Sequence, residues 1–266
     1  MKNKLSFILL VFLSIFLTID YSYANDAKFF RWVDDEDYPP LIYLAEDGKP
    51  AGIFYEIMTE AFRRLNIPLK VELYPWVRAQ KIVYEGKADG MVTVLTRERE
   101  KLFIGSVPIL KVCEYIFTNK NNPHIKEIMS IQTLEEIKPF KIVEVIGAGW
   151  TKEALKGFDI IWVTNLESAF NMLAKNRVDI FLLNNFVGGY FLKERIKNEY
   201  PFYKNIVVNK RPIKIIPFRL LIKKESPFLK IIEDFNKIIY EMQKDGTIKH
   251  ILENKSFLKC YDLSKQ

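Results

Sequence analysis

The pattern that most restricts this chain is a strand–helix–strand alternation that runs once, stops and starts again. Residues 29–33 read as a strand, and Asp34 to Pro40 as a polar loop ending in two prolines. Asp47-Gly48-Lys49-Pro50 is a turn. Across 52–65, Phe54, Ile57, Met58, Ala61, Phe62 and Leu65 recur at helical spacing, which predicts a helix with one buried face. Residues 69–73 read as a strand, 76–85 as a helix and 88–94 as a strand. This order implies a largely parallel sheet with crossover helices.

The second round opens with a strand over 141–145, the glycine turn Gly147-Ala148-Gly149, a short helix over 150–156 and a strand over 160–163. Thr164 and Glu167 read as a capping box for a helix over 165–176. A strand over 179–183 and a helix over 185–197 follow, then a strand over 214–222. Ser226-Pro227 opens a long helix that turns Phe228, Ile231, Ile232, Phe235, Ile239 and Met242 inward and ends at Asp245-Gly246. Two α/β halves in one chain face their strand ends into a common cleft, the usual ligand position in open α/β sheets.

Ahead of both halves lies an export address. Lys2 and Lys4 precede an uncharged apolar run over 5–19, and Ser22-Tyr23-Ala24 supplies a small-x-small cleavage pattern. The run is short for a bilayer span, which needs about 20 apolar residues, and no later stretch is as free of charge. Asn25 rather than cysteine follows the cut, which argues against a lipid anchor. Residues 1–24 are therefore expected to be a cleaved signal peptide and the mature chain to be periplasmic. Its loss lowers the formal charge from +7 to +6.

That address bears on composition. The basic residues are scattered and mostly lysine, as at Lys249, Lys255 and Lys259 near Glu253, with no arginine-rich tract. They read as a solvated surface, with no nucleic-acid partner. Two cysteines are too few for a disulfide scaffold or a structural zinc site. Cys113 and Cys260 lie far apart and Cys260 sits in a polar tail, so a free or buried Cys113 is expected rather than a disulfide. The two histidines, His124 and His250, have no nucleophile elbow beside them. No HExxH, Walker loop or zinc spacing occurs, and Gly147-x-Gly149 lacks the third glycine of a dinucleotide fingerprint. Neither catalysis, nor a cofactor, nor a metal is expected.

What remains suits the holding of a small charged molecule. Asp35 and Tyr38 follow the first strand, where a carboxylate can meet an ammonium. Trp76 and Arg78 flank the start of the second helix, one to stack and one to bind an anion. Arg99, after Thr96, offers a guanidinium fork for a carboxylate. Gly149-Trp150-Thr151 opens a helix whose amides attract anions. Asn184 ends a strand of the second half and would face the cleft.

These residues, in this order, resemble the bacterial extracellular solute-binding proteins of family 3, the polar amino-acid-binding components of ABC importers. The resemblance spans about 28–257. It rests on Asp35-x-x-Tyr38-x-Pro40, Gly52-Ile53-Phe54-Tyr55-Glu56, Gly86-Lys87-Ala88-Asp89 and Thr96-Arg97-Glu98-Arg99. In the second half it rests on Gly149-Trp150-Thr151-Lys152-Glu153, Val178-Asp179 and Asp245-Gly246-Thr247. It implies a two-lobed α/β fold of periplasmic-binding-protein type II, hinged on two crossover strands. Lobe one would be 27–117 with 214–258, lobe two 118–213, and 259–266 a tail. It also implies a monomer that delivers its solute to importer permease subunits, with Arg99 and the Thr151 amide on the ligand carboxylate. The family's acidic ammonium ligand is matched here by the neutral Asn184, and the stretch before Arg99 reads Met91-Val92-Thr93-Val94-Leu95 rather than serine- or threonine-rich. Both departures point away from a standard α-amino acid. Pro75-Trp76-x-Arg78-Ala79 is similar to a less characterised branch of the family. The alternatives are a periplasmic enzyme resembling cyclohexadienyl dehydratase, with Asp35 and Glu56 as acid and base, and a ligand-sensing module.

Overall fold

The computed structural model describes residues 29–195, 201–253, 255 and 260. The expected signal peptide, 1–24, lies outside them. β1 (Phe30–Asp35), β2 (Asp37–Tyr38), β3 (Ile42–Leu44) and β4 (Pro50–Ala51) lead into α1 (Ile53–Arg64). β5 (Leu69–Tyr74), α2 (Trp76–Tyr84), β6 (Gly90–Thr93), α3 (Arg97–Glu100) and β7 (Phe103–Gly105) complete the first round. β8 (Leu110–Asn119) carries the chain onward to α4 (Ile125–Ser130), β9 (Ile142–Val145), α5 (Gly149–Ala154) and β10 (Ile160–Val163). α6 (Leu166–Ala174), β11 (Ile180–Asn184), α7 (Asn185–Tyr190) and β12 (Ile206–Val208) follow. β13 (Lys214–Lys223) returns the chain to α8 (Ile232–Lys244) and α9 (Thr247–Leu252).

The main sheet runs β10-β9-β11-β8-β13-β6-β1-β5, with β12 added to β8 and β7 to β13. β1 pairs parallel with β5 and β6, and β9 with β10 and β11, while β6 and β7 lie antiparallel to β13, and β11 and β12 antiparallel to β8. β8 and β13 pair antiparallel from Lys214↔Glu114 to Phe218↔Leu110 and join the two halves. β8 is buried at every position but Lys111, as a strand covered on both faces must be. Glu114 is the one charged residue on its buried stretch.

The helical spacing in the sequence is realised as packing. Phe54, Ile57, Met58, Ala61 and Phe62 of α1 are at most 1% exposed, and Phe235, Ile239 and Met242 of α8 are 0% exposed in the same core. The Phe62 ring lies 4.8 Å from Phe30 and 6.0 Å from Phe235. Burying each such side chain contributes about 1.5–3 kcal/mol, which is why these two helices clamp one face of the first half.

Several expectations are corrected. β1 runs on through Asp34 and Asp35 instead of ending before them. The buried Asp34 carboxylate accepts from the Trp32 indole (2.8 Å), the Val92 amide (2.8 Å) and the Asp35 amide (2.9 Å), which ties the strand end to β6. The cap of α6 is Asn165, whose side chain accepts from Ser168 N, and not Thr164 with Glu167. The helix expected over 185–197 is α-helical only through Tyr190 and continues as a π-helical turn, Phe191–Arg195. Ser226 Oγ accepts from the Phe228 amide and donates to Asp89 at 2.7 Å, but a 3-10 turn, Leu229–Ile231, follows and α8 starts only at Ile232.

Cys113 and Cys260 are joined in a disulfide, with Cα atoms 5.4 Å apart, so Cys113 is buried but not free. Their sequence separation of 147 carries no information about distance. The fold brings Cys260 back to β8 at the crossover.

Candidate functional site

A cavity of about 400 Å³ opens where β1, β6 and β9 end and β8 passes between the halves. Asp35, Tyr38, Trp76, Arg99, Gly149, Trp150 and Thr151 all line it. Arg78 and Asn184 do not.

Arg99 is placed by a short helix that Thr96 caps through its hydroxyl. The residue is 2% exposed. Its Nη1 donates to Thr93 Oγ1 (3.0 Å) and the Val94 carbonyl (2.8 Å), and its Nη2 to Gln80 Oε1 (2.7 Å). The Trp76 ring lies beneath it at 5.8 Å. Gly149 leaves room for this approach, because a Cβ there would stand 3.0 Å from Arg99 Nη2 and press on the guanidinium.

Trp76 and Gln80 sit one helical turn apart on α2 and reach across the cleft together. The Trp76 indole donates to the Gly147 carbonyl at 2.9 Å and Gln80 Nε2 to the same oxygen at 3.4 Å. Gly147 has φ +95°, and a Cβ on it would lie 2.8 Å from both side chains. Arg78, two residues after Trp76, is turned to the other side of the helix by the 3.6-residue period. It is exposed, with its guanidinium 4.5 Å from the Tyr74 ring centre.

Asn184 is fully buried and does a different task from the one expected. Its Oδ1 accepts from the Phe186 and Val187 amides and so caps α7. Its Nδ2 donates to the Tyr38 hydroxyl at 2.7 Å. The side chain therefore orients Tyr38 and leaves no acceptor for a ligand ammonium. Thr151 donates its hydroxyl to Glu144 Oε2 at 2.7 Å. Glu56 is paired with Lys255 and does not line the cavity, so the acid–base pair of the enzyme alternative is not brought together.

The residues missed from sequence are acids. Asp34, Glu114 and Glu144 line the cavity and are buried, with Glu36 and Asp37 beside Asp35. Six carboxylates and one guanidinium thus surround it. Glu114 and Glu144 each interrupt an apolar strand, and a lone acid in such a run was the available signal.

Burial governs their chemistry. It raises Glu144 to about 7 against the Val145 amide and the Thr151 hydroxyl, which favour the charged form. It raises Glu114 well above the usual range, with the Glu144 charge adding to the effect. Desolvation also lifts Asp35 to about 7, offset by the Asp37 amide and reinforced by Asp34. Asp34 rises to about 6, held back by its three hydrogen bonds and by Arg99. The Tyr38 phenol is raised by desolvation, then by Glu114, Glu144 and Asp35. Among the described residues no group of three or more His, Cys, Asp or Glu is placed to hold a metal ion.

The family model for bacterial extracellular solute-binding proteins, family 3, matches residues 30–257. No curated protein sequence matches the chain. Among solved structures, a histidine kinase sensor domain with similarity to periplasmic binding proteins superposes with TM-score 0.73 at 18% identity, covering 87% of this chain and 97% of its own. An ancestral arginine-binding protein bound to arginine gives TM-score 0.69 at 23% identity, covering 85% and 97%. The arginine-, lysine-, histidine-binding protein ArtJ from the thermophilic bacterium Geobacillus stearothermophilus gives TM-score 0.70 at 16% identity, covering 90% and 99%. The architecture is accordingly the two-lobed α/β fold of periplasmic binding proteins, with β8 and β13 as its crossover strands. The chain belongs to family 3 of the bacterial extracellular solute-binding proteins.

Proposed function

We propose that this protein works in the periplasm as a solute-binding protein, capturing a small amino-acid-type solute that carries both a carboxylate and a cationic group. The solute is held between a lobe of 27–117 with 214–258 and a lobe of 118–213, and is handed to the permease subunits of an ABC importer. The observation that carries this reading is the cavity's charge pattern, one constrained guanidinium among six carboxylates. Three of the five N–H donors of Arg99 are spent on Thr93, Val94 and Gln80. The Nε–H and one Nη2–H remain, the pair that forks onto a carboxylate side-on. The surplus of acid calls for positive charge on the rest of the solute. The named ligands of the superposed proteins, arginine above all, have this character.

Contacts across the cleft support coupling of binding to closure. Besides the bonds to Gly147 and that between Asn184 and Tyr38, the Arg97 amide donates to Glu153 at 2.9 Å. A solute touching both lobes favours the closed arrangement that a membrane partner reads. A second reading, a ligand-sensing module, draws on the superposition with the kinase sensor domain; it uses the same cavity and differs only in the partner.

The test is thermal melting of the oxidised mature protein with amino acids, nitrogen-free small carboxylates and polyamines. A solute at 100 times its Kd adds about 2.7 kcal/mol, or roughly 5–10 °C for a chain of this size. Arg99→Ala should abolish the shift given by a carboxylate-bearing solute. Absence of any shift with every class, or full retention of affinity in Arg99→Ala, would refute the reading.

A further inference from the structure

Resting on that reading, we propose that Glu114 and Glu144 form a subsite for a primary ammonium group of the solute, built from strand interiors in place of an acid at position 184. Glu114 is 7% and Glu144 5% exposed, and both line the cavity. The two differ in how they are held. Glu144 receives the Val145 amide at 2.9 Å and the Thr151 hydroxyl at 2.7 Å, so its carboxylate plane is set by the protein. Glu114 receives no hydrogen bond and no ion pair from any described residue. Ionised, such a group is expensive to bury unless something pairs with it. Lys214, its neighbour on β13, is exposed and makes no ion pair with it.

The surroundings favour a compact cation. Asn184 is the cross-strand neighbour of Glu114 on β11. Both ends of its amide are spent, on the α7 amides and on Tyr38. Asn184, the cross-strand partner of Glu114, holds the Tyr38 hydroxyl at 2.7 Å, and Tyr38, Glu114 and Glu144 line the same cavity. Two carboxylates and one phenol offer three acceptors to the three N–H donors of a primary ammonium. Arg99 is held by Thr93, Val94 and Gln80 of the first half, whereas Glu114 and Glu144 stand on β8 and β9. The subsite therefore selects on the amine, and Arg99 on the carboxylate.

The experiment measures Kd at pH 8 for L-lysine, L-ornithine, L-arginine, L-glutamine and putrescine, each beside its N-acetylated form, and for nitrogen-free carboxylic acids. Parent, Glu114→Gln and Glu144→Gln are compared, with circular dichroism to establish folding. At least one amine-bearing solute should bind, lose binding on N-acetylation, and weaken about 30-fold in each variant. That is about 2 kcal/mol, the scale of a hydrogen bond to a charged group. Equal affinity for the acetylated form, or unchanged affinity in both folded variants, overturns the subsite. A nitrogen-free acid that binds with full affinity while no amine does also overturns it and leaves the binding-protein reading standing; silence with every class overturns both.

Discussion

Glu144→Gln should make the free protein more stable in alkaline solution, and the size follows from the site. Burial raises this carboxyl from the usual 4.5 to about 7, so its ionised form is disfavoured in the folded state. Below pH 4.5 it is protonated in folded and unfolded chains alike, and its charge has no effect. Between pH 4.5 and 7 the unfolded chain alone releases the proton, so stability falls as pH rises. Above pH 7 the loss levels off at about 3 kcal/mol, taking 1.36 kcal/mol per pH unit. Glutamine retains an acceptor for the Val145 amide and removes the charge. The Glu144 charge also raises Glu114, so its removal acts there in the same direction. The variant should therefore match the parent near pH 4.5 and exceed it by about 6–12 °C in Tm at pH 8. Differential scanning fluorimetry of both proteins from pH 4.5 to 8.5, without added solute, measures this. A Tm difference that stays flat across the range, or a variant that melts below the parent at pH 8, would refute the argument that buried charge is stored here.

Other outcomes follow from the same geometry. Binding of an ammonium-bearing solute should weaken from pH 8 to pH 5.5, by up to about tenfold per pH unit for each coupled carboxylate, because Asp35 and Glu144 near 7 and Asp34 near 6 take up protons; calorimetry over that range measures it, and a flat profile contradicts it. Gly149→Ala should push the Arg99 guanidinium aside through a contact of 3.0 Å and lower affinity for a carboxylate-bearing solute about tenfold, about 1.4 kcal/mol, with the fold intact by circular dichroism. Arg78→Ala should leave affinity unchanged, since that side chain lies outside the cavity over Tyr74; a tenfold loss would place it in the site after all. Replacing Cys113 and Cys260 with serine should cost about 2–4 kcal/mol in urea unfolding, for a closure that spans 147 residues.

The periodic parts of this protein were readable because periodicity is a local record of which side is buried. The apolar stripe Phe54-Ile57-Met58-Ala61-Phe62 could only be a helix with a covered face, and it is. Arg99 and the Gly147–Gly149 turn were visible because a constrained guanidinium and a close backbone approach demand particular residue types. Arg78 and Asn184 were misplaced for opposite reasons. Arg78 is adjacent in sequence to the right residues and on the wrong side of the helix. Asn184 is at the right strand end, and its amide is consumed by capping α7 and holding Tyr38.

The sequence by itself determined the order of elements, the two α/β rounds, the buried faces and the arginine that reaches the cavity. Tertiary structure alone decided which charges share a cavity. Asp34, Asp35, Glu114 and Glu144 come from three strands in two halves of the chain and meet only when β8 crosses between them. The same folding joins Cys113 to Cys260. Neither fact is local, because a carboxylate's cost and a thiol's partner depend on what surrounds them in space, and the intervening chain does not encode that distance.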